Sequence, residues 1–190
     1  LTELQRDANK RFGYSAKETL NIMQRLYESH KVLTYPRTDS RYITTDVADT
    51  LKERLKACSV GPYRKLAGSL SMRPIRKNAS FVDNKKVTDH HAIIPTEQFV
   101  DLQTMTNEER KVYDLVVRRF LAVLLPAFEY DQTVFTGGLA GESFTAKGKI
   151  VKSQGWKEAY ENLETDEEWE EADDLAAAPK EQTLPSVKKG

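Results

Sequence analysis

Lys31-Val-Leu-Thr-Tyr-Pro-Arg-Thr-Asp-Ser40 is the stretch on which the reading of this chain turns. Lys31–Tyr35 has the β-rich composition of a short strand. Pro36 then fixes its own φ and pushes Tyr35 into extended geometry, so the strand delivers a tyrosine to a sharp turn. Within Leu33–Ser40 the phenol has a guanidinium, a carboxylate and further hydroxyls as neighbours. Arg37 can grip a phosphate with two parallel hydrogen bonds and stays charged at any working pH. A phenol is only about one part in a thousand ionised at neutral pH, and it becomes a nucleophile where its surroundings stabilise the developing charge. Tyrosine beside arginine therefore suits attack on a phosphodiester. The residues alone also fit a plain surface turn capped by Asp39 or Ser40.

Working back from this stretch, Ser15-Ala-Lys-Glu18 is a capping box, which predicts a helix from about Ala16 to the start of the strand. Its apolar face reads as Leu20, Met23 and Leu26 or Tyr27, with Gln24 and Glu28 on a separate polar face. A shorter helix is predicted over residues 3–12, broken at Gly13. Working forward, Thr45 is a candidate cap for a helix with Val47, Leu51 and Leu55 inside, ended by Gly61-Pro62. Residues 68–88 are polar and basic and read as loop with a short strand. Thr106-Asn-Glu-Glu109 is a second capping box, opening the longest helix, with Val112, Val116, Phe120 and Val123 or Leu124 inward, stopped by Pro126.

After Tyr130 the texture changes. Asp131–Thr136 and Ser143–Val151 have β composition, with Gly137, Gly138 and Gly141 between them, and predict a hairpin. Trp156 and Trp169 flank an acidic run that reads as a solvated loop. The fold class expected is α+β: a mainly helical, winged-helix-like domain over 1–130, then a partial β-rich domain over 131–190 whose hairpin buries little by itself.

Zero net charge conceals an asymmetry. Residues 1–125 hold 22 Lys/Arg against 15 Asp/Glu, whereas residues 126–190 hold 7 against 14. The first part can attract a polyanion and the second, most strongly over Glu158–Asp174, repels one. Nothing approaches 18 consecutive apolar residues, so no membrane span is expected, and no signal-peptide pattern opens the chain. The lone Cys58 excludes an internal disulfide and fits a reducing compartment. No initiator methionine is present and neither end closes on an obvious element, which suggests a piece of a longer protein.

Three stretches in order resemble the type IA DNA topoisomerases. Leu33–Ser40 resembles the active-site tyrosine motif, Asp89-His-His-Ala-Ile-Ile-Pro-Thr96 the motif with a phosphate-contacting histidine, and Phe12-Gly-Tyr-Ser together with Gln24-Arg-Leu-Tyr-Glu28 the helix before the tyrosine. The wording Tyr-Pro-Arg-Thr-Asp-Ser-Arg-Tyr and the paired histidines resemble the topoisomerase III branch most; residues 131–190 match loosely. The resemblance implies that Tyr35 attacks single-stranded DNA to give a 5′-phosphotyrosine link, that the strand passes and is resealed without ATP, and that Arg37 and His90 attend the phosphate. His90 fits the pattern best, with His91 its one-residue alternative. It implies active-site positions for Gln24 and Glu28 and support from Thr34, Thr38 and Asp39. Arg41, Arg73, Arg76 and Lys77 are candidate phosphate contacts. It implies a bacterial, cytoplasmic, nucleoid-associated setting and Mg²⁺ held by carboxylates of a separate N-terminal domain. No metal site is expected in this chain, which should not cleave DNA alone.

Two other classes compete. A non-catalytic winged-helix-like DNA-binding module explains the basic part but not the tyrosine motif. A tyrosine recombinase or relaxase requires the tyrosine after the histidine, or a triple-histidine site, and His30, His90 and His91 are the only histidines.

Overall fold

The computed structural model describes residues 1–75 and 77–161, which form six α-helices followed by one antiparallel hairpin. The mixture is α+β. The chain divides into two units, Leu1–Leu124 and Leu125–Gly190.

In the first unit, α1 (Thr2–Phe12) ends on Gly13, whose φ of 71° is the left-handed cap that glycine takes without penalty. α2 (Ala16–Glu28) starts on the expected capping box: the Ser15 hydroxyl accepts from the Glu18 amide at 3.2 Å, and the Glu18 carboxylate accepts from the Ser15 amide at 2.7 Å. Met23 and Leu26 of the predicted face are buried as expected, and the rest of the face differs. Thr19, Ile22, Met23 and Leu26 face inward, while Leu20 is half-buried and Tyr27 stays 37% exposed. Thr19 was overlooked because it is polar. Its hydroxyl donates to the Ser15 carbonyl at 3.0 Å, which satisfies the polar atom and lets the residue turn toward the core.

α1, α2 and the last helix pack on one another. Past α2 the chain reverses at Lys31 (φ 57°), and the amides of His30 and Val32 return to the Arg25 and Leu26 carbonyls. The predicted strand shortens to a single antiparallel bridge, Leu33 with Pro95, flanked by Thr34 N–H to Ile94 O and Thr96 N–H to Val32 O, both 3.0 Å. Pro36 carries no amide hydrogen, so the next hydrogen-bonded rung on its side of the bridge lacks a donor.

The helix predicted from Thr45 is two pieces, α3 (Thr45–Asp49) and α4 (Leu51–Ala57), and Thr44 rather than Thr45 occupies the cap position. Thr50 makes the break. Its hydroxyl donates to Val47 O at 2.9 Å and accepts from Arg54 Nε at 2.8 Å, an alternative to the helical pattern that threonine readily takes. Residues 68–72, read as loop, belong to α5 (Arg64–Met72), which packs on α4. Only Ala67 and Leu70 of α5 are buried, and Gly68, Ser69 and Ser71 dilute the pattern, so its periodicity was faint. The loop that follows returns to the core through a bridge between Ile43 and Val82.

α6 (Asn107–Leu124) starts on the second capping box, with the Thr106 hydroxyl accepting from the Glu109 amide at 3.2 Å and the Glu109 carboxylate accepting from the Thr106 amide at 2.9 Å. It buries Val112, Tyr113, Val116, Val117, Phe120 and Leu121; Val123 is turned outward.

In the second unit, β1 (Glu129–Leu139) pairs with β2 (Glu142–Ser153), Thr136 opposite Thr145. The tip is Ala140-Gly141, both at positive φ, so Gly137 and Gly138 lie inside β1 rather than in the turn. A 3₁₀ stretch, Gly155–Tyr160, closes the described part. A Cβ at Gly155 would stand 2.2 Å from Ala127 O, so glycine alone fits there. Trp169 and most of the acidic run lie outside the described residues.

Candidate active site

Tyr35 leaves the Leu33 bridge half-buried, directly before a buried Pro36. Its ring lies 4.4 Å from that of His90, centroid to centroid, at 41°. The two residues are 55 positions apart, so tertiary structure alone brings them together. The Tyr27 ring meets Tyr35 edge-to-face at 5.4 Å and 78°.

Hydroxyls stitch the two motif loops. Thr34 Oγ1 donates to Ala92 O at 3.3 Å and accepts from the Ile94 amide at 3.0 Å. Thr38 Oγ1 donates to the His90 carbonyl at 2.9 Å and accepts from the Ser40 amide at 3.1 Å. Ser40 Oγ reaches Lys86 O at 2.8 Å, and the Ala92 amide donates to Tyr42 O at 2.8 Å. A backbone carbonyl of the histidine loop thus serves as the fixed partner of each threonine. These bonds tie the loop that carries Tyr35 and Arg37 to the loop that carries His90.

Arg37, Thr38 and Asp39 from the first loop and Thr88, Asp89 and His90 from the second line one open cleft of about 450 Å³, with Leu20 of α2 on its wall. Arg37 is exposed and forms no ion pair among the described residues, Asp39 included. A guanidinium left unpaired in a cleft beside an imidazole is free to take an anion. His91 is turned away: its Nδ1–H donates to Ala92 O at 2.7 Å, which commits that ring to the backbone, whereas His90 is exposed against Tyr35.

Leu20, Gln24 and Tyr27 fall on one stripe of α2 at i, i+4 and i+7. Leu20 lines the cleft and Tyr27 touches Tyr35, so Gln24, half-buried between them, borders the site. Glu28 is exposed at the end of the same helix. The outer cations are dispersed. Arg41 pairs with Glu3 at 3.2 Å, Lys77 pairs with Asp49, and Arg73 is exposed at the end of α5; none of these lines the cleft. Arg76 lies outside the described residues. Lys86 was missed by sequence reading. Its ammonium lies 4.3 Å over the Tyr42 ring and donates to the Tyr42 hydroxyl at 3.1 Å, and that bond raises its pKa. The only sequence signal was its membership of the basic run before Asp89.

Beneath the site a buried carboxylate anchors α2. Glu109, 3% exposed, accepts from Arg25 Nε at 2.7 Å and faces His30 Nε2 at 3.2 Å, besides its bond to the Thr106 amide. Burial pushes its pKa up, but the bonds from Arg25, the Thr106 amide and His30 outweigh that and hold it below the usual carboxylate range. Among the described residues no group of three or more His, Cys, Asp or Glu is placed to hold a metal ion. The Mg²⁺ that the resemblance implies has no fitting ligand set among these residues. No helix of the described residues is long and apolar enough to cross a membrane.

A family model described as DNA topoisomerase matches residues 1–190. The chain is 62% identical over its whole length to DNA topoisomerase 3 of Bacillus cereus strain ZK / E33L, and 53% identical to DNA topoisomerase 3 of Bacillus subtilis strain 168. It spans about a quarter, 25%, of the length of each. Among solved structures, full-length topoisomerase I from Thermotoga maritima aligns with 85% of this chain and 26% of its own at a TM-score of 0.60 and 23% identity, a likeness of fold.

Proposed function

The chain belongs to the DNA topoisomerase family, type IA, topoisomerase III branch, and on that premise we propose that it carries the strand-cleaving tyrosine of a longer enzyme. The Tyr35 phenol attacks a phosphorus of single-stranded DNA. An Oη–P bond forms, the P–O3′ bond breaks, the phenol gives up its proton and the departing 3′ oxygen gains one. The 5′-phosphotyrosine link keeps the energy of the phosphodiester, so the reverse attack by the 3′ hydroxyl reseals the strand without ATP after another strand has passed. Arg37 and His90 donate to the non-bridging oxygens as charge builds on them, an electrostatic role that costs no reorganisation because both already line the cleft. Thr34 and Thr38 hold the two loops in register, Gln24 and Glu28 edge the site, and Asp39 stands within it. Arg41, Arg73, Arg76 and Lys77 contribute diffuse attraction for the strand in the bacterial cytoplasm. Mg²⁺ and its carboxylates belong to a part of the full-length protein outside this chain, which does not cleave DNA alone.

The observation that carries this reading is the 4.4 Å contact between the Tyr35 and His90 rings beside an unpaired Arg37. It is also what a non-catalytic DNA-binding module would not need. The test is covalent trapping. Full-length protein incubated with 5′-truncated, 3′-labelled single-stranded DNA should give an adduct that survives denaturation, and Tyr35→Phe should bind the same DNA without forming one. An adduct from the Tyr35→Phe protein would refute the assignment.

A further inference from the structure

We propose that Tyr27 is a positioning residue whose ring holds the Tyr35 phenol against His90. The proposal rests on the reading of Tyr35 as nucleophile.

Tyr27 is not needed for the core. The buried face of α2 is Thr19, Ile22, Met23 and Leu26, and Tyr27 stands beside it at 37% exposure. Its hydroxyl makes no hydrogen bond among the described residues, so whatever Tyr27 does is done by the ring. That ring has one aromatic partner there, Tyr35, met edge-to-face at 5.4 Å, a geometry the quadrupoles of two aromatic rings favour.

Tyr35 requires such a restraint. Pro36 and the Leu33–Pro95 bridge fix its backbone but leave χ1 and χ2 free. A rotamer change would swing the hydroxyl out of reach of any phosphate held by Arg37, and in-line attack tolerates little displacement. Contact with His90 alone is a weak guide, because His90 is itself exposed on a loop. Tyr27 is better placed to guide, since it projects from a helix fixed at one end by the Ser15 capping box and near the other by the Arg25–Glu109 pair.

An exposed tyrosine at a DNA cleft could instead stack on a base. The structure favours positioning because the contact of this ring is already made with the nucleophile.

The experiment uses full-length protein with Tyr27→Leu, Tyr27→Phe and Tyr35→Phe. Single-turnover adduct formation is measured at saturating single-stranded oligonucleotide, and non-covalent affinity is measured by anisotropy in a Tyr35→Phe background. The His90 ring resonance is followed by histidine-selective ¹³C NMR, assigned with His90→Gln. An edge-to-face pair is worth about 0.5–1.5 kcal/mol, so Tyr27→Leu should slow adduct formation about two- to twelvefold. Affinity should stay within about twofold, the ring-current shift of His90 should collapse toward its free value, and Tyr27→Phe should rescue both rate and shift. An unchanged rate and shift in Tyr27→Leu would overturn the proposal. Weakened affinity with a normal saturated rate would overturn it in favour of base stacking. If the leucine variant is destabilised, Tyr27→Met, which keeps volume without a ring, decides: it should show the same slowed rate and lost shift, and a normal rate and shift there would overturn the proposal. An adduct from Tyr35→Phe would sink the nucleophile assignment, and this proposal with it.

Discussion

Glu109→Gln should destabilise the first unit by about 2–3 kcal/mol at pH 7, although the substitution barely changes volume. A hydrogen bond to a charged group contributes roughly 1.5–3 kcal/mol. The Glu109 carboxylate takes one from Arg25 at 2.7 Å, faces His30 at 3.2 Å and closes the capping box through the Thr106 amide. Three full contributions would overstate the loss, because the Arg25 side chain is 48% exposed and can turn to water. Glutamine also keeps one acceptor oxygen. At about 3–5 °C per kcal/mol for a domain of this size, the midpoint should fall by roughly 6–15 °C. The effect should depend on pH. The folded-state pKa of Glu109 is depressed, so its stabilisation is fully present above the unfolded value, about 4.3, and is lost as pH falls through the folded value. The gap between parent and variant should therefore be widest at neutral pH, narrow below about pH 4.3 and close as pH falls through the folded value. Urea unfolding followed by circular dichroism at several pH values measures both quantities. A gap under about 0.5 kcal/mol at pH 7, or one that is the same at pH 7 and pH 3, would show that the cluster does not hold α2 to α6 electrostatically.

Arg37→Ala in full-length protein should slow covalent adduct formation by about 10²-fold, the usual cost of removing one donor to a developing oxyanion; a fall of less than threefold in single-turnover assays would remove Arg37 from the chemistry. Binding of single-stranded DNA by this chain should weaken steeply with salt, each phosphate contact adding about −0.7 to the log–log slope. With the cleft offering few cations, a total slope of roughly −2 to −3 is expected from anisotropy titrations, and a flat response would contradict an electrostatic footprint. Cys58, fully buried with its thiol pushed up to about 12 by desolvation, should resist iodoacetamide at pH 8 until the chain is unfolded, as read by mass spectrometry; rapid stoichiometric labelling would mean the α4 region opens readily.

The parts of the fold that were legible in the sequence are those with local chemistry. Both capping boxes fixed helix starts correctly because the reciprocal bonds involve residues three apart. The hairpin was legible from composition, but its turn was not placed, because three glycines stood near the tip and only Gly141 has the positive φ of the turn. α5 was lost because two inward apolar residues make too short a signal. The inward face of α2 was misplaced because a threonine whose hydroxyl returns to the i−4 carbonyl can be buried like an apolar residue. The break at Thr50 depends on a bond from Arg54 that no propensity scale includes.

The candidate site divides along the same line. Tyr35, Arg37 and His90 could be named from residue order, because a motif is a one-dimensional object. What makes them a site is not one-dimensional. The motif suggests that Thr34 and Thr38 support Tyr35 and Arg37, but not that their hydroxyls bond to backbone groups of Ala92, Ile94 and His90, more than fifty residues on. Such bonds to the main chain do not depend on which side chain sits opposite, so no pairwise pattern of residue types betrays them. Proline has the complementary effect. Pro36 removes the amide donor of the rung beyond Leu33, and on that side the Thr34 and Thr38 hydroxyls tie the two loops together. A short, hydroxyl-stitched junction holds the tyrosine and histidine together while keeping the turn between them open. An extended sheet would have drawn the backbone of Arg37 and Asp39 into pairing and closed the cleft proposed to receive a phosphate.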